Sequence, residues 1–294
     1  MGLVERSNNF MGSSDSYEEA GTVIVGVPMD YTVSYRPGSR FAPQALRHVS
    51  YALEEYSVYQ QKDLADYTFY DWGDINLPIG NVPLSLDRIG QVAAQICQDR
   101  KFPIYIGGEH LITYPIIKET AKHFADLTVI QFDAHADLRL DYLGEFNSHA
   151  TVMMKVAEII GGQNLYQFGI RSGTKEEFAY AKSNTNMFID RVIAPLKKSL
   201  PIIGDKPVYI TIDIDVVDPA FAPGTGTVEP AGISSREMIE AIHAMQDLNV
   251  IGMDIVEIAP GYDQSERTAL LGAKLIRESI MAYTKSSDFS NPTT

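Results

Sequence analysis

The stretch "IQFDAHADLRLDYLGEFNSHA", residues 130–150, decides how the rest of the chain is read. An apolar run of Leu127, Val129, Ile130 and Phe132 leads straight into Asp133, His135 and Asp137, each two residues from the next, and His149 follows. A carboxylate carried toward a protein interior is expensive unless it is paired or binds a metal. A hydrophobic strand that ends in three ionisable groups therefore calls for a compensating cation.

Working outward, the same pattern recurs. "IYIGGEH" (104–110) ends in His110, "YITIDIDVVDP" (209–219) carries Asp213 and Asp215, and "GMDIVEIAP" (252–260) carries Glu257. Eight short β-rich apolar runs, beginning at 22, 67, 103, 127, 165, 186, 207 and 249, are expected as strands. Amphipathic stretches at 43–56, 85–98, 114–124, 150–160, 234–245 and 267–283 are expected as helices between them. Ser234 with Glu237 fits a capping box at the start of one. Near-continuous hydrophobic strands alternating with helices indicate an α/β fold with a mostly parallel sheet covered on both faces. Ligands of such folds sit at the carboxyl ends of the strands, where the unusual residues fall.

The chain has 294 residues, 45% hydrophobic and 21% charged, enough apolar material for a large core. Residues 1–20 read as a polar N-terminal arm and 21–294 as a single catalytic domain. The net charge of −14 argues against a nucleic-acid partner and suits a cationic ligand. No stretch has the length of a membrane span, and the first twenty residues hold no apolar segment of a signal peptide, so the cytoplasm is the expected location. The Met1–Gly2 start with Ser7 superficially matches a myristoylation signal and is discounted. The one cysteine, Cys97, reads as a small core residue on a helix face. His48, His123 and His243 read as surface or core residues.

Asp213 and Asp215 point to one face of a strand, and Asp133, His135 and Asp137 share that spacing. Four aspartates carry four negative charges, which two divalent ions balance. An oxygen-rich donor set with two imidazoles and no thiolate suits Mn²⁺ better than a structural Zn²⁺. A water between two such metals is readily deprotonated to a nucleophilic hydroxide.

Taken together, "GGEH", "FDAHAD", "SHAT" and "DIDVVDPAFAPGTGTVEPAG" resemble the ureohydrolases, the family of arginase and agmatinase, and the likeness runs from residue 26 to residue 260. It implies a three-layer α/β/α sandwich around a mostly parallel sheet of about eight strands. It implies two Mn²⁺ ions per subunit, with ligands at His110, Asp133, His135, Asp137, Asp213 and Asp215. It also implies a homo-oligomer, a trimer or hexamer. His149 matches the family's histidine at the cleft mouth, and Glu257 the carboxylate that receives the guanidinium. Asp137 is expected to stabilise the tetrahedral intermediate, and His149 to ferry a proton to the leaving amine with a pKa near neutrality.

Arginases carry an Asn shortly after "DAH" that reads the substrate carboxylate, and acidic residues after "GLR" near its amine. Here Arg139 takes the place of that Asn, and Ser172 and Gly173 follow Arg171. Both departures match the bacterial agmatinase pattern, so the expected reaction is hydrolysis of agmatine to putrescine and urea, a step of polyamine biosynthesis. The alternatives are a guanidinobutyrase, with Arg139 as a carboxylate clamp, an arginase, or a non-catalytic polyamine-pathway binding protein. Arg139 is expected to pair with Glu145 or Asp141.

Overall fold

A computed structural model describes residues 2–5 and 8–284. Met1 and Ser7 of the myristoylation-like start lie outside the described residues, as do 285–294. The strands are β1 (Val4–Glu5), β2 (Thr22–Val27), β3 (Tyr56–Ser57), β4 (Lys62–Asp63), β5 (Phe69–Ile75), β6 (Phe102–Gly107), β7 (Thr128–Phe132), β8 (Leu165–Ile170), β9 (Asn186–Ile189), β10 (Pro207–Asp213) and β11 (Asn249–Val256). The helices are α1 (Ala42–Ser50), α2 (Val82–Gln98), α3 (Thr113–Thr120), α4 (Val152–Ile160), α5 (Lys175–Asn184), α6 (Ile193–Ile203), α7 (Ser235–Ala244) and α8 (Arg267–Tyr283).

All eight expected runs form strands, and they are mutually parallel in the order β5-β2-β6-β11-β10-β7-β8-β9. The short β1 adds a ninth, antiparallel edge strand through Val4–Ile75 and Glu5–Asp74, and β3 with β4 forms a separate small hairpin. Side chains alternate across each strand, so both faces of the sheet must be covered. Ile130 and Phe132 join one core cluster with residues of α1, α6, α7 and α8. Val129 joins a second cluster with residues of α2, α3, α4 and α5. The result is a three-layer α/β/α sandwich.

Two observations concern the first twenty residues. Phe10 and Met11 are buried in the first core cluster. The Phe10 N–H donates to Asp71 Oδ2 at 2.8 Å, so this segment closes part of the sheet's end. Asp71 is fully buried, and Arg47 grips it with Nε to Oδ2 at 2.8 Å and Nη2 to Oδ1 at 2.9 Å. Arg47 also pairs with Asp74. A Cβ on Gly26 would lie 1.8 Å from Asp74 Oδ1, so only glycine lets β2 pass this cluster.

Arg47 is 1% exposed, so its removal leaves Asp71 a buried charge without a cation. Arg47→Leu should lower unfolding stability by about 3–5 kcal/mol. Asp71→Leu added to Arg47→Leu should recover much of that loss, because it removes the stranded charge. Urea denaturation midpoints decide it, and an unchanged midpoint for Arg47→Leu refutes the reading.

Candidate functional site

After β6 the chain skips sideways to build β7, β8 and β9, and the last two strands fill the gap it left. The four central neighbours are therefore β6, β11, β10 and β7. Their carboxyl ends carry His110, Glu257, Asp213 with Asp215, and Asp133 with His135 and Asp137. A crevice at such a switch in strand order is the expected ligand site of an open parallel sheet.

Local hydrogen bonds explain why two-residue spacing works there. Asp133 Oδ1 accepts the His135 N–H at 2.6 Å, and Asp213 Oδ1 accepts the Asp215 N–H at 2.9 Å. Each aspartate thus closes an Asx turn that peels the chain off its strand. Asp215 Oδ1 accepts the Ala134 N–H at 2.9 Å and ties the ends of β7 and β10 together. Asp137 and Glu257 both adopt left-handed backbone, with φ of 53° and 61°. Non-glycine residues hold that conformation when their surroundings over-determine it, as happens at functional sites.

His110 Nδ1 lies 3.0 Å from Asp133, 3.2 Å from Asp137 and 3.5 Å from Asp213. Its Nε2 sits 2.9 Å from Thr211 Oγ1, which itself donates to Asp254 Oδ1 at 2.6 Å. The Thr211 hydroxyl hydrogen is spent on Asp254, so Nε2–H is the donor and Nδ1 is left bare before three carboxylates. Nδ1 is buried and has no hydrogen-bond partner. Only a cation or a proton reconciles a lone pair with that surrounding. His135 Nδ1 lies 2.8 Å from Asp215 Oδ2. With protons as its only cations, the cluster drives His110 well above its ordinary pKa and His135 up to about 12, the carboxylates outweighing burial in both. Burial, with Asp215 and Asp133 beside it, pushes Asp213 well above the usual carboxylate range.

Ligand atoms of His110, Asp133 and Asp213, and of Asp133, His135 and Asp215, lie within 4.8 Å of one another in two groups that share Asp133. Two overlapping sets of oxygen and imidazole donors around one common carboxylate fit a pair of divalent cations. Second-layer partners are also in place. Asp254 is fully buried and accepts hydroxyls from Thr211, Thr113 and Tyr209, and Gln131 Nε2 donates to Asp133 Oδ2 at 2.7 Å. Sequence reading passed over Asp254, Thr211 and Gln131. Their signal was present, since a charged or polar residue sits inside each apolar strand run.

A cleft of about 270 Å³ opens over this cluster, lined by His110, His135, Asp137, Asp213, Asp215, His149 and Glu257 among others. Glu257 Oε1 accepts the His110 N–H at 2.7 Å, which aims its carboxylate. Burial and the nearby Glu109 push its pKa up to about 8, so an arriving cation favours its charged form. His149 opens the helical turn before α4, with a capping box between Ser148 and Thr151. Its N–H donates to Thr32 Oγ1 at 3.0 Å and its Nδ1 to the Thr32 carbonyl at 2.8 Å. Its Nε2 faces the cleft, 3.4 Å from Ser34 Oγ. With protons as the only cations on His110 and His135, its pKa falls below the near-neutral range expected. Burial pushes it down to about 4, with His135, His110 and Arg139 acting the same way against the Thr32 bond. His149 is therefore a neutral imidazole at pH 7. Arg139 pairs with Glu177 at 3.4 Å and lies over the Tyr142 ring, rather than pairing with Glu145 or Asp141.

A cation bound only by the folded cluster must stabilise the fold by mass action. Mn²⁺ at a hundredfold excess over its Kd should add about 2.7 kcal/mol, and chelation should remove it. Asp133→Asn, which alters the carboxylate common to both groups, should abolish most of the gain. A melting temperature indifferent to metal and chelator sinks the assignment.

Residues 20–282 match the arginase family model. An agmatinase of Bacillus subtilis (strain 168) is 53% identical over 280 residues, covering 94% of this chain and 96% of that one. The crystal structure of an agmatine ureohydrolase of Thermoplasma volcanium superposes with a TM-score of 0.87 at 31% identity, covering 95% of each chain. A proclavaminate amidino hydrolase from Streptomyces clavuligerus superposes with a TM-score of 0.86 at 28% identity, covering 96% of this chain and 99% of that one. A match of this extent, on a fold and a cluster already described, leaves one conclusion: the chain belongs to the arginase family, ureohydrolases that act on guanidino carbon–nitrogen bonds.

Proposed function

We propose that the chain is an agmatinase that hydrolyses agmatine to putrescine and urea with two Mn²⁺ ions, and that it works in the cytoplasm as a homo-oligomer. The observation that carries the substrate assignment is the lining of the cleft. It offers the carboxylate of Glu257 and the hydroxyls of Ser34, Thr225 and Thr227. Its one Lys or Arg side chain among the described residues, Arg139, is held by Glu177 and Tyr142. Such a lining welcomes a dication and leaves the α-carboxylate of arginine without a partner. The similarity to the Bacillus subtilis agmatinase supports the same reading.

His110, Asp133, His135, Asp137, Asp213 and Asp215 would hold the metals. When bound, the metal pair supplies an activated water nucleophile at neutral pH. Glu257, fixed by its left-handed backbone and the His110 N–H, accepts the planar guanidinium through parallel hydrogen bonds and places its carbon for attack. Asp137 faces the same cleft and stabilises charge in the tetrahedral intermediate. One hydrogen of the consumed water must finish on the departing nitrogen, otherwise the C–N bond cannot break. His149 is suited to that transfer. Its Nδ1–H is committed to Thr32, so its Nε2 takes a proton from the reaction and returns it to the amine.

Agmatine should be turned over with a kcat/KM at least about a hundredfold above that of arginine, the price of an unmatched carboxylate. Parallel assays of agmatine, arginine and 4-guanidinobutyrate in one buffer decide it. Comparable rates on arginine overturn the assignment. A preference for guanidinobutyrate means that Arg139 leaves Glu177 to clamp a carboxylate, and Arg139→Ala should then abolish that preference. His149→Ala should lower kcat far more than it lowers metal content, and a metal-free mutant would contradict the role given to His149.

A further inference from the structure

Within "GGEH" the proposed mechanism uses His110 and leaves Glu109 without a task. Glu109 is fully buried, and among the described residues no Lys, Arg or His side chain pairs with it. Its Oε1 has no hydrogen-bond partner at all. Its Oε2 has two, and both belong to one residue: the Thr32 N–H donates at 2.8 Å and the Thr32 hydroxyl at 2.9 Å. A buried carboxyl met only by the backbone of Tyr31 and Thr32 and by one hydroxyl is expensive to keep. A chain that retains it for packing alone could use glutamine or an apolar residue.

Thr32 shows what the carboxylate does. The hydroxyl that donates to Glu109 accepts the His149 N–H with its lone pair at 3.0 Å. The carbonyl of the same residue accepts the His149 Nδ1–H at 2.8 Å. Glu109 therefore sets the direction of the Thr32 hydroxyl: Oε2 already accepts the Thr32 N–H, so the hydroxyl beside it donates inward and keeps its lone pair for the His149 N–H. Thr32 in turn fixes both the backbone and the tautomer of His149. The imidazole is held with hydrogen on Nδ1 and a bare Nε2 toward the cleft.

Local structure brings these residues together. A Cβ on Gly108 would lie 2.2 Å from the Met29 carbonyl and 2.6 Å from that of Val27, so glycine alone allows the turn after β6 to lie against the loop after β2. The Glu109 N–H then donates to the Met29 carbonyl at 2.7 Å, three residues before Thr32. We infer that Glu109 and Thr32 are positioning residues for His149: Glu109 anchors Thr32 through its N–H and hydroxyl, and Thr32 so placed holds the His149 backbone with its hydroxyl and, with its carbonyl, the imidazole in the tautomer able to take up and return a proton.

The inference rests on the proposed reaction for its kinetic consequence but not for its structural one, and the test separates the two. Thr32→Val, Thr32→Ser and Glu109→Gln are prepared as the full chain loaded with Mn²⁺. Thr32→Val and Glu109→Gln should lower kcat about tenfold or more, as expected for losing a charge-assisted hydrogen bond. KM for agmatine should change less than about threefold, since neither residue lines the cleft. Metal content should be unchanged, and Thr32→Ser should restore most of the rate. In a His149→Ala background, Thr32→Val should cause no further fall, because a residue that acts through His149 has nothing left to position. Long-range ¹H–¹⁵N spectra of histidine-labelled protein should show the Nδ1–H tautomer at His149 in the parent and a mixture in Glu109→Gln. Independent losses in the double mutant, or a parent tautomer with hydrogen on Nε2, overturn the inference. If His149→Ala keeps its rate, the proposed proton transfer fails, while the tautomer spectra still decide the positioning. Should Glu109→Gln fail to fold, the threonine variants carry the test.

Discussion

Four carboxylates packed at one end of a sheet repel one another with little solvent to screen them, and the centre of this molecule is arranged around that repulsion. Asp133, Asp137, Asp213 and Asp215 are each at most 7% exposed. At such depth the cost of an unpaired charge exceeds what packing nearby returns. Every device at the site answers it. Backbone N–H groups of the two Asx turns and of Ala134 point at the carboxylates. Two imidazoles face them through Nδ1. What these donors leave uncompensated is a concentrated negative charge of defined shape, which is what selects divalent cations.

The same constraint explains the layer behind the cluster. A neutral imidazole presents its lone pair to a metal only if its other nitrogen holds the hydrogen. The chain from His110 through Thr211 to Asp254 enforces that choice by a fixed order of donors and acceptors. The arrangement around His149 has the same logic with the opposite purpose. There the nitrogen that holds hydrogen faces Thr32 and the bare one faces the cleft. At His110 a hydroxyl between the histidine and an acid sets the tautomer; at His149 the Thr32 carbonyl sets it, while the Thr32 hydroxyl, donating to Glu109, holds the His149 backbone.

Much of the fold could be read from the sequence because burial on both faces writes a strand as an unbroken apolar run. That signature is plain in the central strands, whereas β5 alternates buried and half-buried residues and the edge strand β9 buries none fully. It failed for β1, β3 and β4, which have two residues each and carry no period. Two helices were also missed. α5 buries only Glu177 and Ala181, so it lacks an apolar stripe, although its capping box from Thr174 to Glu177 was there to be seen. α6 contains Pro201, a residue that argues against a helix in any pattern reading. At the site, acids at strand ends announced themselves. Thr32 and Thr211 did not, because a threonine in a loop or strand is ordinary until its partners are known. The downward pull on the His149 pKa was illegible for a related reason: its environment depends on burial and on neighbours from three other segments, which no local pattern contains.

The division between strand ends and loops separates two functions physically. The groups proposed to meet the guanidinium and the cations sit on the central strands or within a turn of them, and their geometry is set by sheet register. Other groups that line the cleft sit elsewhere. Ser34 lies in the loop after β2, Arg139 and Tyr142 in the segment after β7, and Thr225 and Thr227 in the long segment after β10. These segments carry exposed apolar side chains such as Tyr35, Leu140, Leu143 and Phe146, and their sequence is little constrained by the core. A substitution of an uncharged member such as Ser34, Thr225 or Thr227 alters the cleft lining without removing a charge from the cluster beneath. A substitution in the cluster alters its charge balance whatever the tail. Specificity on this scaffold can therefore change while the chemistry stays fixed. The reverse is not available, because the chemistry and the folding of the sheet's centre use the same buried carboxylates.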